Sequence, residues 1–274
     1  MAHLDLTNVT FHATMRDMKI GATKLDRFTA EDYETIKTAR LDALNVMARL
    51  PFPSGYFILG QVAPLLDKYK TYVQSCVAEI APAYESGCRN FEVHYWPNST
   101  RGGLGWSHAG GTDFAQWWVQ VVRDLRHEFP NALFGFPKLE EGDTVGSYRY
   151  NSDIFRREAF NAIEEADFVS MAVAWKGRKG NLEDMMAAQW NVRSNILLYK
   201  KPVYATAIIT NNNIGKPVKA QQFVAFVKEM SITPMVEGVF YHTLSSAYQE
   251  DIWCVMRSDS KESAMANIIG QRTP

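Results

Sequence analysis

Short apolar runs alternate with longer amphipathic segments along the whole chain. The apolar runs predict eight β-strands, at 9–15, 44–50, 56–63, 91–96, 132–137, 167–175, 202–210 and 236–244. The amphipathic segments have apolar residues three and four positions apart and predict helices, at about 32–44, 68–86, 113–129, 155–166, 183–195 and 217–230. The order of elements is therefore that of repeated strand–helix units.

Strands that are apolar along nearly their whole length are typical of a parallel sheet with helices on its faces. Eight such units in 274 residues fit one (β/α)8 barrel domain that spans residues 1–274. No linker-like, repeated or low-complexity stretch divides the chain. The alternative is an open doubly wound sheet. It is disfavoured because no Gly-x-Gly-x-x-Gly turn follows the first predicted strand.

Composition narrows the possible partners. The chain carries 29 basic and 30 acidic residues, a net charge of −1, and 46% of its residues are hydrophobic. A chain with this balance of charges is not expected to have the wide basic surface that binds nucleic acid or anionic lipid. No apolar run reaches the roughly 18 residues of a membrane span. The first residues lack the basic and apolar regions of a signal peptide. We therefore expect a cytoplasmic or particle-associated protein with no nucleic-acid or membrane partner.

Neither cysteine nor histidine spacing predicts a metal site. Cys76, Cys88 and Cys254 form no Cys-x-x-Cys pair, and buried, reduced thiols are expected. The histidines near predicted strands lack His-x-His or His-Glu-x-x-His spacing, so each is expected to be a core residue. No metal ion and no other cofactor is predicted.

Several segments resemble a known family in kind and order. They are FEVHYWPN (91–98), DFAQWWVQVVRDLRHEFPNALFGFP (113–137), EEADFVSMAVAW (164–175), KKPVYATAIITNNN (200–213), KAQQFVAFVKEM (219–230) and VEGVFYHTLSSA (236–247). These stretches resemble the bacterial glycoside-hydrolase-like barrels of clan A, which are retaining (β/α)8 glycosidases. The resemblance runs from about residue 9 to residue 272 and implies the barrel fold.

The departures from that family fall at its two catalytic glutamates. Trp96 stands at the acid/base position and Ala207 at the nucleophile position. Retaining hydrolysis needs two carboxyl groups roughly 5–5.5 Å apart, and neither indole nor methyl can replace them. The resemblance thus implies a barrel without catalytic residues, in which Trp96 and Ala207 face each other at the C-terminal mouth. Ala172 and Ala174 stand where the family tends to have His and Tyr. Positions that match the family's scaffold are Phe91, Glu92, His94, Pro97, Asn98, Pro137, Asp167 and Trp175.

Aromatic and polar residues at strand ends are the candidates for binding a ligand. Aromatic rings in a barrel mouth commonly stack on sugar rings. The candidates are His94, Tyr95, Trp96, Asn98, Trp106, Trp175 and Tyr241. Packing of Trp96 into the vacated cleft is an equally open interpretation. Trp117, Trp118 and Trp190 lie in predicted helices and are expected in the core.

Three hypotheses of function follow. The first is a barrel that has lost its catalytic pair and binds an oligosaccharide or serves, with protein partners, in a larger assembly. The second is an active glycoside hydrolase with relocated carboxylates, for which Glu140, Glu141 and Asp143 follow a predicted strand at the correct face. The third is a purely structural subunit with a plugged mouth. Glu92 is expected deeper in the barrel, paired with an interior Arg, Lys or His.

Overall fold

The computed structural model describes residues 22–25, 45–50, 69–94, 96–99, 106–140, 151–176, 182–209 and 215–241. The chain forms two compact units. The central unit comprises Lys24–Phe28 and Val46–Ala172, and the terminal unit comprises Met1–Thr23, Thr29–Asn45 and Val173–Pro274. The expectation of a single domain stays a prediction.

Strands and helices alternate in the described parts of the chain. The strands there are β1 (Ala22–Leu25), β2 (Asn45–Leu50), β3 (Asn90–Val93), β4 (Leu133–Phe136), β5 (Phe168–Trp175), β6 (Val203–Ile209) and β7 (Val236–Tyr241). The helices there are α1 (Tyr69–Glu85), α2 (Trp106–Glu128), α3 (Ser152–Glu158), α4 (Phe160–Glu165), α5 (Glu183–Tyr199) and α6 (Lys216–Ser231). This is a parallel-strand α/β fold.

In the central unit, β2 to β5 pair in chain order and in parallel. Their register aligns Arg49, Glu92, Gly135 and Phe168 in one row across the sheet. A Cβ atom at Gly135 would lie 2.0 Å from the Phe168 ring, so only glycine leaves room for that ring. The row therefore brings a carboxylate and an aromatic ring onto the same sheet face.

This sheet is strongly curled. Ser170 Oγ in β5 donates to Met47 Sδ in β2 over 4.0 Å. In a flat sheet, three strand spacings of about 4.8 Å would hold these strands some 14 Å apart. The side chains can meet only because the sheet bends around the face that they share, which is how a barrel interior is formed.

The opposite face of the central sheet packs on helix α2 through aromatic rings. Phe91 stacks on Phe134 at 6.0 Å, and Phe136 lies 5.9 Å from Phe114 and 6.2 Å from Trp118. Trp117 and Trp118 of α2 were expected in the core, and their full burial confirms this. Phe114, Val121 and Leu125 of the same helix are also fully buried.

Helix α2 begins earlier than predicted and contains a kink. Gly110 has φ 78° and ψ 175°, values that L-residues other than glycine rarely adopt. The adjacent Gly111 N–H donates to Glu158 Oε2 at 2.8 Å, so a carboxylate of α3 caps the first turn after the kink. A Cβ at Gly111 would lie 2.3 Å from the Phe155 carbonyl oxygen. The two helices approach this closely because of the glycine.

A network of charged side chains joins the last turn of α2 to the sheet. The Asp167 carboxylate accepts from Phe134 N at 2.8 Å and from Arg126 at 3.1 Å. Arg126 also bonds the carboxylate and the backbone carbonyl of Glu165, both at 2.6 Å. Asp167 thus has the scaffold role that the resemblance implies, because it ties the start of β4 to the last turn of α2.

In the terminal unit, β6 and β7 pair in parallel, with Ala207 opposite Tyr241. Helices α5 and α6 are linked by Arg193, which bonds Glu229 and Thr233 at 3.3 Å each. The expectation that Trp190 belongs to the core is wrong, because 66% of its surface is exposed on α5.

Other expectations meet the structure as follows. Strand β1 was not predicted, since ATKL has no apolar run. The predicted helix 155–166 is divided into α3 and α4 at Ala159. The predicted strands 9–15 and 56–63 and the helix 32–44 lie outside the described residues. Cys76 and Cys88 are buried, as expected, and burial raises the pKa of Cys76, whereas Cys254 lies outside the described residues. Among the described helices, none combines the length and apolarity needed to cross a bilayer.

Candidate functional site

The candidate site begins where β3 ends. The strand stops at Val93, and His94 and Trp96 have φ values of 82° and 44°. Because both residues adopt the left-handed backbone region, strand alternation does not continue beyond Val93. Strand alternation through residue 96 would place Glu92, His94 and Trp96 on one face of the sheet, and these two left-handed residues break that alternation.

His94 packs on the helix side of the sheet. Its ring meets Phe114 at 5.7 Å and Trp117 at 6.0 Å, edge to face in both cases, and it is fully buried. This agrees with the expectation of a core histidine. Its candidacy as a ligand contact stays untested.

Asn98 joins the segments that follow β3 and β4. Its Nδ2 donates to the Glu140 carbonyl oxygen at 2.9 Å, and Glu140 N donates to Asn98 Oδ1 at 2.9 Å. Nearby, Trp96 N donates to the Lys138 carbonyl at 3.2 Å, and Ser99 N to the Trp96 carbonyl at 3.0 Å. We call these contacts the Asn98–Glu140 clamp. The clamp fixes the backbone on which Trp96 is mounted.

The structure describes the side chains of four of the ligand-binding candidates. Of these four, only Trp96 is partly exposed to solvent. Trp96 is half-buried, whereas His94, Asn98 and Trp175 are buried. An indole held on a fixed backbone and partly open to solvent can stack on a ring-shaped ligand.

The two glutamates nearest to this segment differ in burial. Glu92 is fully buried in the row that contains Gly135 and Phe168, on the face opposite to His94. Glu140 is half-buried and follows β4, where both polar atoms of its backbone are bonded by Asn98. Glu92 thus lies on the concave face of the sheet, and Glu140 lies beyond the carboxyl end of β4.

Trp175 ends β5 but does not leave its ring open. The indole stacks on Phe226 with ring centres 5.0 Å apart and an interplanar angle of 20°. Its Nε1 donates to Gln222 Oε1 at 3.1 Å. Both partners belong to α6, so in this structure the ring packs against a helix. Its neighbour Ala174 is exposed.

The remaining candidates are placed only in part. Ala207 is fully buried in β6. Trp106 begins α2 and Tyr241 ends β7, but their side chains lie outside the described residues, as does all of Tyr95. Trp96 belongs to the central unit and Ala207 to the terminal unit. That they face each other across a mouth stays a prediction.

Within the described residues, no group of three or more His, Cys, Asp or Glu side chains is placed to hold a metal ion. The Asn98–Glu140 clamp was missed from the sequence. The available signal was Asn98 directly after Pro97, which follows the predicted strand 91–96, but nothing in the sequence indicated its partner 42 positions away.

Comparison with known proteins identifies the fold. No family model and no curated protein matches the chain. Solved structures do match it. One is a GH128 (subgroup II) endo-β-1,3-glucanase from Sorangium cellulosum, with a TM-score of 0.67, 11% identity, and coverage of 94% of this chain and 93% of the enzyme. Another is a GH128 (subgroup III) curdlan-specific exo-β-1,3-glucanase from Blastomyces gilchristii, with a TM-score of 0.60, 10% identity and coverage of 99% and 97%.

A third similar structure is the Ignisphaera aggregans GH53 catalytic domain, with a TM-score of 0.58, 10% identity and coverage of 85% and 76%. At identities this low, the likeness concerns the fold alone. The chain has a glycosidase-like, parallel-strand α/β fold.

Proposed function

We propose that this protein is a glycosidase-like (β/α)8 barrel that has lost the catalytic carboxylate pair and binds carbohydrate without hydrolysing it. The observation that carries the proposal is Trp96, an indole on a clamped backbone. By the sequence resemblance, this position corresponds to the family's proton donor. In this proposal an eighth strand closes the sheet, and the mouth lies at the carboxyl ends of the strands.

The chemistry of the two positions supports loss of hydrolysis. An indole N–H has no pKa suited to proton transfer at neutral pH, and the Ala207 methyl group cannot attack an anomeric carbon. Two of the residues that match the family's motif have scaffold contacts instead. Asn98 holds the backbone of Glu140, and Trp175 is covered by Phe226.

Binding a sugar needs no catalytic carboxylates, only side chains placed to contact the sugar ring. Trp96 is placed to make such a contact. Its backbone is fixed by the bond to the Lys138 carbonyl, and its side chain is half-exposed. Because this backbone is already held, it loses little further conformational entropy when a sugar stacks on the indole. β-1,3-Glucans are the first ligands to test, because the S. cellulosum and B. gilchristii proteins are β-1,3-glucanases.

The binding experiment is titration calorimetry of the full chain with linear β-1,3-glucan oligosaccharides. We expect measurable binding by the wild type and about a 2- to 10-fold loss in Trp96→Ala, the range of one aromatic contact. Trp190→Ala removes another exposed indole and is the matched control. Equal binding by wild type and Trp96→Ala, or no binding at all, would contradict the carbohydrate-binding role.

One observation favours the alternative, an active hydrolase with a relocated carboxylate. The clamp holds Glu140 N and O at 2.9 Å each, so its carboxylate extends from a fixed point beyond β4. If the wild type hydrolyses a glycoside, and Glu140→Gln abolishes the activity while Glu128→Gln preserves it, Glu140 is the relocated acid.

A further inference from the structure

Helix α5 carries apolar residues on its solvent side. Leu182, Met186, Trp190 and Leu197 are 47%, 61%, 66% and 72% exposed. At about 100° per residue, these four positions lie within about 80° of one another around the helix axis. They form one stripe, about 22 Å long at 1.5 Å per residue. We call it the α5 stripe.

The α5 stripe is not the core-facing side of the helix. The buried side of α5 is formed by other apolar residues, among them Met185, Val192 and Ile196. A helix at the surface of a globular protein normally carries polar residues opposite its core face. Exposed apolar side chains in a contiguous patch mark an interaction surface.

The charge within the stripe is already neutralised. Arg193 lies in the same arc, but its guanidinium bonds Glu229 Oε2 and Thr233 Oγ1 at 3.3 Å each. A partner that covers the stripe therefore meets an ion pair rather than an isolated charge, which lowers the cost of desolvation.

The ends of α5 carry opposite charges. Glu183 and Asp184 begin the helix, and Lys200 and Lys201 follow its end. Trp190 lies near the middle, eight residues after Leu182 and seven before Leu197. A second α5 helix in antiparallel orientation would place each acidic end beside a basic end and the two Trp190 side chains near the centre. This surface is therefore complementary to itself about a two-fold axis.

We propose that the α5 stripe is the interface of a two-fold symmetric homodimer, in which two α5 helices pack antiparallel around Trp190. A single helix face is smaller than the roughly 800 Å² per partner of a typical stable interface. The dimer is accordingly weak, with a dissociation constant on the order of 100 micromolar.

The first test is analytical ultracentrifugation of the full chain from micromolar to millimolar concentrations. The wild type is expected to shift from monomer to dimer over this range, and Trp190→Lys to remain monomeric. Ile154→Lys places the same charge at another exposed apolar position, on α3, and is expected to dimerise like the wild type. Thermal unfolding of each variant checks that it folds.

A charge exchange tests the antiparallel orientation. Glu183→Lys alone brings like charges together at both ends of the dimer, and so does Lys200→Glu alone, since Glu183 lies beside the stripe at about 100° per residue. Each variant is expected to dimerise at least about 10-fold more weakly than the wild type, as when like charges meet across an interface. Mixed in equal amounts, the two variants restore opposite charges at both ends and are expected to form a heterodimer.

Three results would overturn the proposal. One is a wild type that stays monomeric throughout, which leaves another part of the chain or a different protein as the occupant of the stripe. Another is a dimer that Trp190→Lys does not weaken. The third is failure of the mixed charge variants to associate while the wild type dimerises.

Discussion

The side chain of Asn98 and the backbone of Glu140 exchange two hydrogen bonds of 2.9 Å each. This pair joins the segments that follow two neighbouring strands, at the edge where parallel α/β barrels carry their functional residues. In this protein the amide therefore stabilises the fold next to Trp96. The backbone that carries the indole is held beside it by the bond from Trp96 N to the Lys138 carbonyl.

Asn98→Ala is expected to lower the free energy of unfolding by about 2–3 kcal/mol, because it leaves two partly buried backbone groups without their partner. Chemical denaturation measures this loss. Asn151→Ala is the matched control, since Asn151 also makes two side-chain bonds, to Asp153 N and Ile154 N, but at an exposed helix cap. In that variant the free energy of unfolding should fall by only about 1 kcal/mol. Equal losses in the two variants would show that burial of the clamp adds nothing.

Asp167→Ala should destabilise the central unit by about 2–4 kcal/mol, because it breaks the bonds to Phe134 N and to Arg126 together. Glu229→Ala is the control. Glu229 also pairs with an arginine, Arg193, but the two side chains are 47% and 37% exposed, and its loss should cost less than about 1 kcal/mol. A mild effect of Asp167→Ala in denaturant melts would contradict the scaffold role of the network.

Gly111→Ala is expected to destabilise the protein by more than about 3 kcal/mol, because the new Cβ would lie 2.3 Å from the Phe155 carbonyl oxygen. The backbone of α3 must move for the methyl group to fit. Gly215→Ala is the control, since the nearest atom to a Cβ there lies at 3.6 Å. Its unfolding midpoint should change little. Similar midpoints for both variants would disprove the close helix contact.

Glu79→Gln should stabilise the protein at neutral pH and not at acid pH. Burial raises the pKa of Glu79 above its usual value of 4.5, so the folded state disfavours the ionised carboxylate. Below pH 4.5 the group is protonated in both states and costs nothing. As the pH rises, the unfolded chain ionises first and the folded state loses stability.

The increase in the free energy of unfolding in Glu79→Gln should stay below about 1 kcal/mol, because the carboxyl group is half-exposed and screened by solvent. Unfolding measured at pH 4 and at pH 7 tests the sign. A gain that is the same at both pH values would point to a cause other than ionisation.

Regular elements were predictable where one face is apolar. Helix α1 was predicted at 68–86 and found at Tyr69–Glu85, and β5 was predicted at 167–175 and found at Phe168–Trp175. Periodicity identifies such elements because burial of one face dominates their stability. Strand β1 escaped prediction since its four residues have mixed polarity.

The candidate site was less predictable, because its geometry depends on backbone conformation and distant contacts. The left-handed φ values at His94 and Trp96 carry no sequence signal, since neither residue is glycine. They turn the chain away from the strand and move His94 to the helix side. Trp190 was misplaced for another reason. Helix α5 is apolar on two sides, and periodicity does not say which of them is buried.

The central proposal is that this glycosidase-like fold does not hydrolyse glycosides, and a single-turnover assay of reducing-end release tests it most directly. Excess purified protein is incubated with β-1,3-glucan oligosaccharides and with aryl glycosides, with Glu140→Gln prepared in parallel as a control for contaminating enzymes. The account predicts that wild type and Glu140→Gln release products at the same background rate. Wild-type product release that increases with protein concentration and disappears in Glu140→Gln would contradict it.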